Sequence, residues 1–318
     1  MDRKLISIMT PCYNEEGNLP NLYARVTKVI DGMTDYDFEW VIIDNDSQDS
    51  SRQILRELAE KDSRLKVIFN LRNFGPGRSS AYGLYQTSGD ASICVAGDLQ
   101  DPPELIPRFV QTWEAGNDVV LGRIKASEES SRAFATRGLF YRIINAFSDT
   151  KIESHVTGFG LYSKRAVSLL REEANPVPNF RFSISNFGFH VAYVDYVQPL
   201  RVAGKSSYTF ISKLDTSIDS LIQASVRPVR LVTLSGAVLS GLMFLLAIAL
   251  LVLDIVLGAP VWWHLLICSL VFLVAGLLAL AIGVVGEYVV SVLEHVKAAP
   301  LVIEKERFNF SGRNNELS

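Results

Sequence analysis

Two long apolar runs near the C-terminus constrain the fold of this chain more than any other feature of its sequence. Residues 231–253 are 23 consecutive residues without a charged side chain, and residues 265–286 are another 22. A helix needs about 20 such residues to cross the hydrocarbon core of a bilayer. A buried core helix rarely stays apolar on every face over this length. The two runs therefore predict a two-helix transmembrane hairpin.

The charges around these runs predict the orientation of the hairpin. Arg227 and Arg230 precede the first run, Lys297 follows the second, and the connecting residues 254–264 include no Lys or Arg. Because positively charged flanks stay in the cytoplasm, we expect an integral membrane protein of the inner or plasma membrane with both termini and the remaining domain in the cytoplasm. Three widely spaced cysteines indicate no disulfide framework or zinc site. The net charge of −3 gives no sign of a nucleic-acid partner, and the sequence leaves a homo-oligomer open.

The first 210 residues alternate short apolar runs with amphipathic segments. The alternation predicts an α/β domain with a mostly parallel sheet and helices on both faces. The strands are expected at Leu5–Met9, Trp40–Asp44, Leu65–Asn70, Ala91–Ala96 and Val119–Leu121. The helices are expected at Leu19–Ile30, Ser51–Glu60, Gly77–Thr87 and Pro103–Trp113. Residues 211–229 form an amphipathic region that either lies in the membrane interface or packs on the domain. The spans fall within 230–290, and 291–318 form a cytoplasmic tail.

Polar residues follow four of these predicted strands, where a sheet of this kind binds its ligand. Asp98 and Gln100 come directly after the fourth strand. Their side chains offer the hard oxygen atoms that Mg²⁺ or Mn²⁺ prefers, with phosphate oxygens and water completing the shell. Asp101 belongs to the same cluster, although capping of the next helix explains it equally well.

Two further clusters allow a functional and a structural interpretation. The segment 44–49 contains Asp44, which either accepts hydrogen bonds from a base or ribose or belongs to a solvated capping loop. Arg201 and Lys205 flank Gly204 just before the membrane region. They suit a diphosphate or a lipid phosphate, but a basic patch facing the membrane is the common alternative.

The order of these segments resembles family 2 glycosyltransferases, and the longer match is to the polyprenyl-phosphate glycosyltransferases. That group includes bactoprenol glucosyltransferases and dolichol-phosphate mannose synthases. The segments that carry the resemblance are 11–16, 43–47, 72–75 and 97–104, continued by 157–159, 204–206, 225–228 and 286–288. The two C-terminal spans favour the bactoprenol glucosyltransferase branch. The resemblance implies a GT-A fold, which is Rossmann-like with a mostly parallel sheet, followed by the transmembrane hairpin.

The resemblance also implies roles for individual residues. Asp98 and Gln100 hold the metal and are catalytic, together with Asp101, Arg201 and Lys205. The donor nucleotide is bound by Pro11, Tyr13, Glu15, Asp44, Asn45, Asn73, Gly97 and Asp98. The acceptor phosphate contacts Arg123, Ser206 and either Arg132 or Arg137.

The chain departs from the family pattern at several positions. Ala96 stands where the first acidic residue of an Asp-x-Asp sequence is usual, so one acidic contact is missing. Asn45 and Asp46 replace the usual Asp-Gly, and Pro76 stands where Lys is common. In addition, Gly160 follows Phe159 where Arg is frequent.

The implied reaction is transfer of a sugar, with inversion, from a nucleotide-sugar to undecaprenyl or another polyprenyl phosphate. Such an acceptor is already an anion at pH 7, since its second pKa is about 6, so a strong general base is unnecessary. This agrees with the lack of histidine in the motif clusters. The expected donor is UDP-glucose. A dolichol-phosphate mannose type of synthase that uses GDP-mannose remains an alternative, as does a non-catalytic membrane scaffold that binds nucleotide-sugars.

Overall fold

The structure is a computed structural model that describes residues 3–127, 153, 155–173, 175–176, 178–199, 227–257, 262–297 and 299–310. Several predictions fall outside these ranges. They concern the interfacial helix over 211–224 and the site residues Arg132, Arg137, Arg201, Lys205 and Ser206.

A single eight-stranded sheet forms the centre of the fold, in the order β7-β5-β6-β4-β1-β2-β3-β8. The strands are β1 (Lys4–Cys12), β2 (Tyr36–Asp44), β3 (Leu65–Asn70), β4 (Ala91–Cys94), β5 (Val119–Ser127), β6 (Val156–Ser163), β7 (Val191–Gln198) and β8 (Glu304–Phe308). Strand β1 pairs in parallel with β2 and β4, β2 with β3, and β5 with β7. Strand β6 runs antiparallel between β4 and β5. The prediction of an α/β fold with a mostly parallel sheet is confirmed.

Helices cover both faces of this sheet, as the sequence predicts. The described helices are α1 (Leu19–Asp31), α2 (Ser51–Lys61), α3 (Pro76–Tyr85), α4 (Ile106–Glu114), α5 (Lys164–Glu172), α6 (Phe180–Phe187), α7 (Arg227–Leu257) and α8 (Trp262–Val296). Helix α1 buries Leu19, Leu22, Val26 and Ile30, whose spacing places them on one helix face. Buried residues of α1, α2 and α4 share one core cluster, and those of α3, α5 and α6 share a second cluster.

The two C-terminal helices extend beyond the apolar runs predicted to span the membrane. Helices α7 and α8 contact one another, and many of their described large apolar side chains are exposed, among them Phe244 and Ile282. Within the described part of the chain, residues 273–293 form one helical stretch long and apolar enough to cross a bilayer. Val229–Leu239 is a shorter apolar helical stretch. The structure thus provides one candidate span, and the second span of the hairpin stays a prediction.

The segment after α8 returns to the sheet, which the sequence does not reveal. Strand β8 pairs antiparallel with β3 at the sheet edge. The ring of Phe308 meets Phe69 edge to face at 5.9 Å, and Arg56 forms an ion pair with Glu306. Residues 304–308, expected within a tail, are therefore part of the same sheet as residues 4–12.

Candidate active site

The candidate site lies at the edge of the sheet where the parallel strands β1, β2, β3 and β4 end. The chain runs from β1 outward through β2 and β3 and then returns to the other side of β1 with β4. This reversal creates a crevice between the carboxyl ends of β1 and β4, which is where open α/β sheets bind ligands. Cys12, Asp44 and Phe69 are register neighbours there, and Met9 pairs with Cys94.

A cleft of about 580 Å³ opens at this edge. Its lining includes four residues predicted for the site, namely Pro11, Asp98, Gln100 and Asp101. The start of β6 and the end of β7 complete it with Thr157 and Gln198, among others. The structure therefore brings the predicted metal ligands together with strands that the sequence analysis assigns no role.

The turn after β4 is shaped by the backbone of Leu99 and by the absence of a side chain at Gly97. Leu99 adopts a left-handed conformation with φ of 62°, which is uncommon for a bulky residue and places strain at this turn. The N–H of Gln100 donates to Asp98 Oδ1 at 3.2 Å. A Cβ atom on Gly97 would lie 3.1 Å from the carbonyl oxygen of Pro11. The absence of a side chain at Gly97 thus lets the turn lie against the end of β1.

The side chain of Asp101 stabilises the same turn. Its buried carboxylate accepts hydrogen bonds from the N–H of Ala96 and from the hydroxyl of Tyr196, both at 3.2 Å. Burial, together with the negative charge of Asp98, raises the pKa of Asp101 to about 7. Among the described contacts, Asp101 therefore connects β7 to the turn, and the helix-capping interpretation finds no support.

Asp98 and Gln100 fit the requirements of a magnesium or manganese ion bound with a diphosphate. They supply one carboxylate and one amide oxygen at the cleft wall, and such ions commonly take one or two carboxylates, with phosphate and water supplying the other ligands. Within the described ranges no group of three or more His, Cys, Asp or Glu side chains is placed to hold a metal without a substrate. The donor set thus matches a metal that binds together with its nucleotide.

Asp44 is fully buried at the end of β2. Its Oδ2 atom accepts from Arg52 Nε at 2.9 Å and from the N–H of Ser47 at 3.2 Å. Arg52 also binds Asp46 and the carbonyl oxygen of Asn70. Asp44 Oδ1 is buried, and no described residue donates to it. One oxygen therefore orients the loop, and the other is able to accept a further hydrogen bond.

Asn45 and Asn73 are brought together beside Asp44. Asn45 Nδ2 donates to Asn73 Oδ1 at 3.0 Å, and Asn45 Oδ1 accepts from Asn70 Nδ2 and from the N–H of Phe74, both at 3.0 Å. These amides join the loop after β2 to the loop after β3, which is a positioning role that the sequence does not reveal.

Glu15 lies in the loop after β1, which is connected to the loop after β2. The N–H of Glu15 donates to Ser51 Oγ, and that of Asn14 donates to Ser47 Oγ, both at 2.9 Å. Asp49 accepts from the N–H groups of Glu16 and Ser51, so it joins the loop after β1 to the first residue of α2.

Seven described residues predicted for the site do not line the cleft, namely Tyr13, Glu15, Asp44, Asn45, Asn73, Gly97 and Arg123. Tyr13 is half-buried in the loop after β1. Arg123 forms ion pairs with Asp195 at 2.6 Å and with Glu153 at 3.2 Å. Its neighbour Ile124 lines the cleft, and adjacent strand residues point to opposite faces, so Arg123 points away from it.

His155 and Gln198 line the cleft and Tyr196 supports it through Asp101, although no recognised segment of the sequence contains these three residues. His155 lines the cleft although no histidine belongs to the recognised segments. The signal in the sequence for β7 is an alternation in which Val194, Tyr196 and Gln198 share the buried face. A glutamine on an otherwise apolar face of a strand is the one local sign that could have identified Gln198.

The model of the family described as glycosyl transferase family 2 matches residues 7–170, just over half of the chain. The chain belongs to this family. The bactoprenol glucosyl transferase of Shigella phage SfX is 32% identical over 304 residues, covering 95% of this chain and 99% of that protein.

Two further curated relatives match over most of their length. An uncharacterised glycosyltransferase of Bacillus subtilis is 31% identical over 310 residues, with 96% of this chain and 95% of that protein covered. An undecaprenyl-phosphate 4-deoxy-4-formamido-L-arabinose transferase of Photorhabdus laumondii is 30% identical over 308 residues, with 93% and 92% covered.

A solved structure of glucosyl-3-phosphoglycerate synthase from Mycobacterium tuberculosis, in complex with Mn²⁺, uridine diphosphate and product, is 18% identical to this chain. It covers 69% of this chain and 78% of that one with a TM-score of 0.47. A likeness of this size is too weak to transfer a ligand to this chain.

Proposed function

We propose that this protein transfers a sugar from a nucleotide-sugar, best supported as glucose from UDP-glucose, to undecaprenyl or another polyprenyl phosphate. The observation that carries the proposal is the combination in one chain of a cleft containing Asp98 and Gln100 with a helical stretch, residues 273–293, whose apolar surface is exposed. A hydrophilic donor and a lipid-linked acceptor require such a combination of surfaces.

The relatives support the acceptor and the donor sugar to different degrees. The bactoprenol glucosyl transferase and the undecaprenyl-phosphate transferase align over more than nine-tenths of this chain, a span that includes its C-terminal helices. Both names imply a polyprenyl lipid, whereas the sugars differ. Glucose is therefore the finer and less supported part of the proposal.

Asp98 and Gln100 are assigned to hold Mg²⁺ or Mn²⁺. When bound, the ion neutralises negative charge on the leaving nucleotide diphosphate. Asp101 maintains the turn that carries these two side chains through its hydrogen bonds to Ala96 and Tyr196. Gly97 and Pro11 keep the turn close to β1, so that both ligands face the cleft.

The nucleotide is assigned to the loops after β1, β2 and β3. Asp44 Oδ1, which accepts no hydrogen bond from a described residue, is suited to an N–H of the base or a ribose hydroxyl. Asn45 and Asn73 hold the loops after β2 and β3 together, and Glu15 and Tyr13 belong to the loop after β1.

The acceptor phosphate needs little activation, because a phosphate monoester is already anionic at pH 7. Its attack on the anomeric carbon by direct displacement inverts the configuration there, and the protein mainly holds two anionic substrates in position. Arg201 and Lys205, together with the metal, are assigned to offset their repulsion, and Ser206 and either Arg132 or Arg137 are assigned to contact the acceptor phosphate. Arg123 joins them only if its ion pairs with Asp195 and Glu153 open.

We further propose that α7 and α8 cross the bilayer as a hairpin. Residues 1–210 form the cytoplasmic catalytic domain, 211–229 an interfacial segment and 230–290 the two spans. Residues 291–318 stay in the cytoplasm. Strand β8 supports this topology, because its pairing with β3 requires the chain after α8 to lie on the same side as the sheet.

Full-length protein in vesicles containing undecaprenyl phosphate tests the proposal. Transfer from UDP-glucose, UDP-galactose, UDP-N-acetylglucosamine and GDP-mannose is measured with Mg²⁺, with Mn²⁺ and with a chelator. We expect transfer of glucose that the chelator abolishes. Preference for GDP-mannose would favour the mannose synthase alternative, and binding without any transfer would favour a non-catalytic scaffold.

The variant Asp98→Asn tests the metal assignment. We expect a loss of transfer of about 100-fold or more, because the amide removes the negative charge that holds the ion. Asp37→Asn is the matched control, since Asp37 is exposed at the start of β2, at the opposite end of the strand from Asp44. Full activity of Asp98→Asn, with thermal stability equal to the control, would refute the assignment.

A further inference from the structure

Gln198 is a buried polar residue at the end of β7 that the assigned roles leave unexplained. Its side chain is 7% exposed and follows Val194 and Tyr196 on the buried face of the strand. It is also one of the residues that line the 580 Å³ cleft, together with Asp98 and Gln100. Gln198 is therefore a nearly buried amide at the wall of the cavity assigned to the substrates.

The side-chain oxygen of Gln198 has no hydrogen-bond partner among the described residues. Gln198 Oε1 is buried, and no residue in the described part of the chain donates to it. Most buried polar atoms in folded proteins are paired, so an unpaired oxygen on a residue that lines a cleft points to a donor from water or from a ligand. A ligand hydroxyl that replaces such a water keeps the hydrogen bond.

The neighbouring contacts place Gln198 close to the assigned metal ligands. The hydroxyl of Tyr196 reaches Asp101 Oδ1 at 3.2 Å, in the turn that carries Asp98 and Gln100. Gln198 is two residues further along the same face, about 6.6 Å closer to the carboxyl end of β7. In the sheet, β7 is on the β4 side of β1. Gln198 therefore lies on the side of that turn that is away from β1.

This position and the chemistry of the amide oxygen together limit which group of the ligand can bind Gln198. The nucleotide is assigned to the loops after β1, β2 and β3, on the other side of the turn. An amide oxygen accepts hydrogen bonds, and an ionised phosphate has no proton to donate. The transferred sugar, which extends from the diphosphate away from the nucleotide, carries several hydroxyl groups.

We propose that Gln198 is a specificity-determining residue that accepts a hydrogen bond through Oε1 from one hydroxyl group of the transferred sugar. The inference rests on the proposed function, because it assumes that the cleft binds a nucleotide-sugar. It adds a residue that recognises the sugar to residues that bind the nucleotide and the metal.

The first test compares Gln198→Met, which keeps the length of the side chain but cannot accept this bond, with Gln198→Glu, which keeps acceptor oxygens. In Gln198→Met we expect kcat/KM for UDP-glucose to fall about 3- to 10-fold, the value of one neutral hydrogen bond. Gln198→Glu should retain more activity than Gln198→Met. Binding of UDP alone, measured by calorimetry, should stay within about twofold of wild type.

The matched control is Gln111→Met, because Gln111 is exposed on α4 and does not line the cleft. Thermal unfolding of all the variants separates loss of recognition from loss of folding. Unchanged kcat/KM in Gln198→Met would overturn the inference. So would an equal loss of UDP binding, because Gln198 would then act on the nucleotide.

The second test uses UDP-glucose analogues that each lack one sugar hydroxyl. Wild type should lose about 3- to 10-fold with the analogue lacking the recognised hydroxyl, and Gln198→Met should lose nothing further with it. If Gln198→Met loses activity by the same factor as wild type with every one of these analogues, the inference is wrong.

Failure of the proposed function is distinguishable from failure of this inference. A wild-type protein that transfers no sugar to undecaprenyl phosphate would refute the function. The role of Gln198 would still be tested by calorimetry. The measured quantity is the affinity for a nucleotide-sugar divided by the affinity for its bare nucleotide, with UDP-glucose, UDP-galactose, UDP-N-acetylglucosamine and GDP-mannose as the nucleotide-sugars. If wild type binds none of the four better than the bare nucleotide, the inference is overturned as well.

Discussion

Replacing Glu39 with glutamine should destabilise the protein strongly, although Glu39 lies far from the cleft. Glu39 is a 4% exposed residue of β2, and its carboxylate accepts four hydrogen bonds. Ser7 Oγ and the N–H of Ser88 donate to Oε1 at 2.5 and 2.6 Å. Lys66 Nζ and Ser88 Oγ donate to Oε2 at 2.5 and 2.8 Å.

The magnitude follows from the geometry of these donors. Both oxygens of Glu39 face donors, so the NH₂ group of a glutamine must point either at Lys66 Nζ or at the N–H of Ser88. The substitution removes a charge-assisted bond and leaves at least one buried donor without an acceptor. Breaking a buried ion pair at one partner typically costs about 3–5 kcal/mol. For a domain of this size that corresponds to a fall in melting temperature of about 9–15 °C.

The pH dependence has a definite sign. Burial raises the pKa of the Glu39 carboxyl, but hydrogen bonds from Lys66, Ser7 and Ser88 outweigh it and hold that pKa below its ordinary value. A carboxyl with a lowered pKa stabilises the folded state above its unfolded pKa of about 4.3. That stability is lost as the pH falls through the lower, folded pKa. The difference between wild type and Glu39→Gln should therefore be constant near pH 7 and shrink below about pH 4.

Thermal unfolding of the full-length protein in detergent, followed by tryptophan fluorescence, measures both effects. Glu57→Gln is the control, since Glu57 is exposed on α2, accepts from Gln53 and forms no ion pair among the described residues. We expect its melting temperature to stay close to that of wild type. A shift below about 3 °C for Glu39→Gln would refute the reasoning, as would a shift that is equal at pH 7 and at pH 3.5.

Two further predictions concern packing. Phe308→Ala should lower the free energy of unfolding by about 1–3 kcal/mol, because it removes a half-buried ring from its contact with Phe69. Trypsin should then cleave β8 faster than in wild type. Ile303→Ala, at an exposed position just before β8, is the control, and equal cleavage of the two variants would contradict the role of β8. Gly160→Ala should prevent stable folding, because its Cβ would meet the carbonyl oxygen of Val120 in the paired strand, whereas Gly158→Ala has space and should fold. Equal expression and equal melting temperatures of the two alanine variants would contradict this.

Much of the fold on either side of β1 follows from local patterns in the sequence. The apolar runs at Leu5–Met9, Trp40–Asp44 and Leu65–Asn70 lie within β1, β2 and β3. Short buried strands that alternate with amphipathic helices have few arrangements other than a parallel sheet with helices on both faces. The same rule places Pro11, Asp98 and Gln100 at one edge, because carboxyl ends of parallel strands meet there.

The tertiary structure alone decided which distant residues complete the site. The hydroxyl of Tyr196 meets Asp101, which is 95 residues earlier in the chain, and Gln198, two residues after Tyr196, lines the cleft. The return of residues 304–308 to pair with β3 is equally distant. Arg123, a plausible phosphate ligand by charge, turns out to be paired with Asp195 and Glu153.

The division between the two has a physical reason. Periodicity, turn residues and apolar length act over a few neighbouring residues, so the sequence by itself determined the α/β domain, the Asp98–Gln100 pair and the apolar character of the C-terminal runs. The register between strands that are far apart in the chain depends on how all the strands of the sheet pack together. Only the folded chain therefore decided that an isolated glutamine at the end of β7 lies beside the metal ligands predicted after β4.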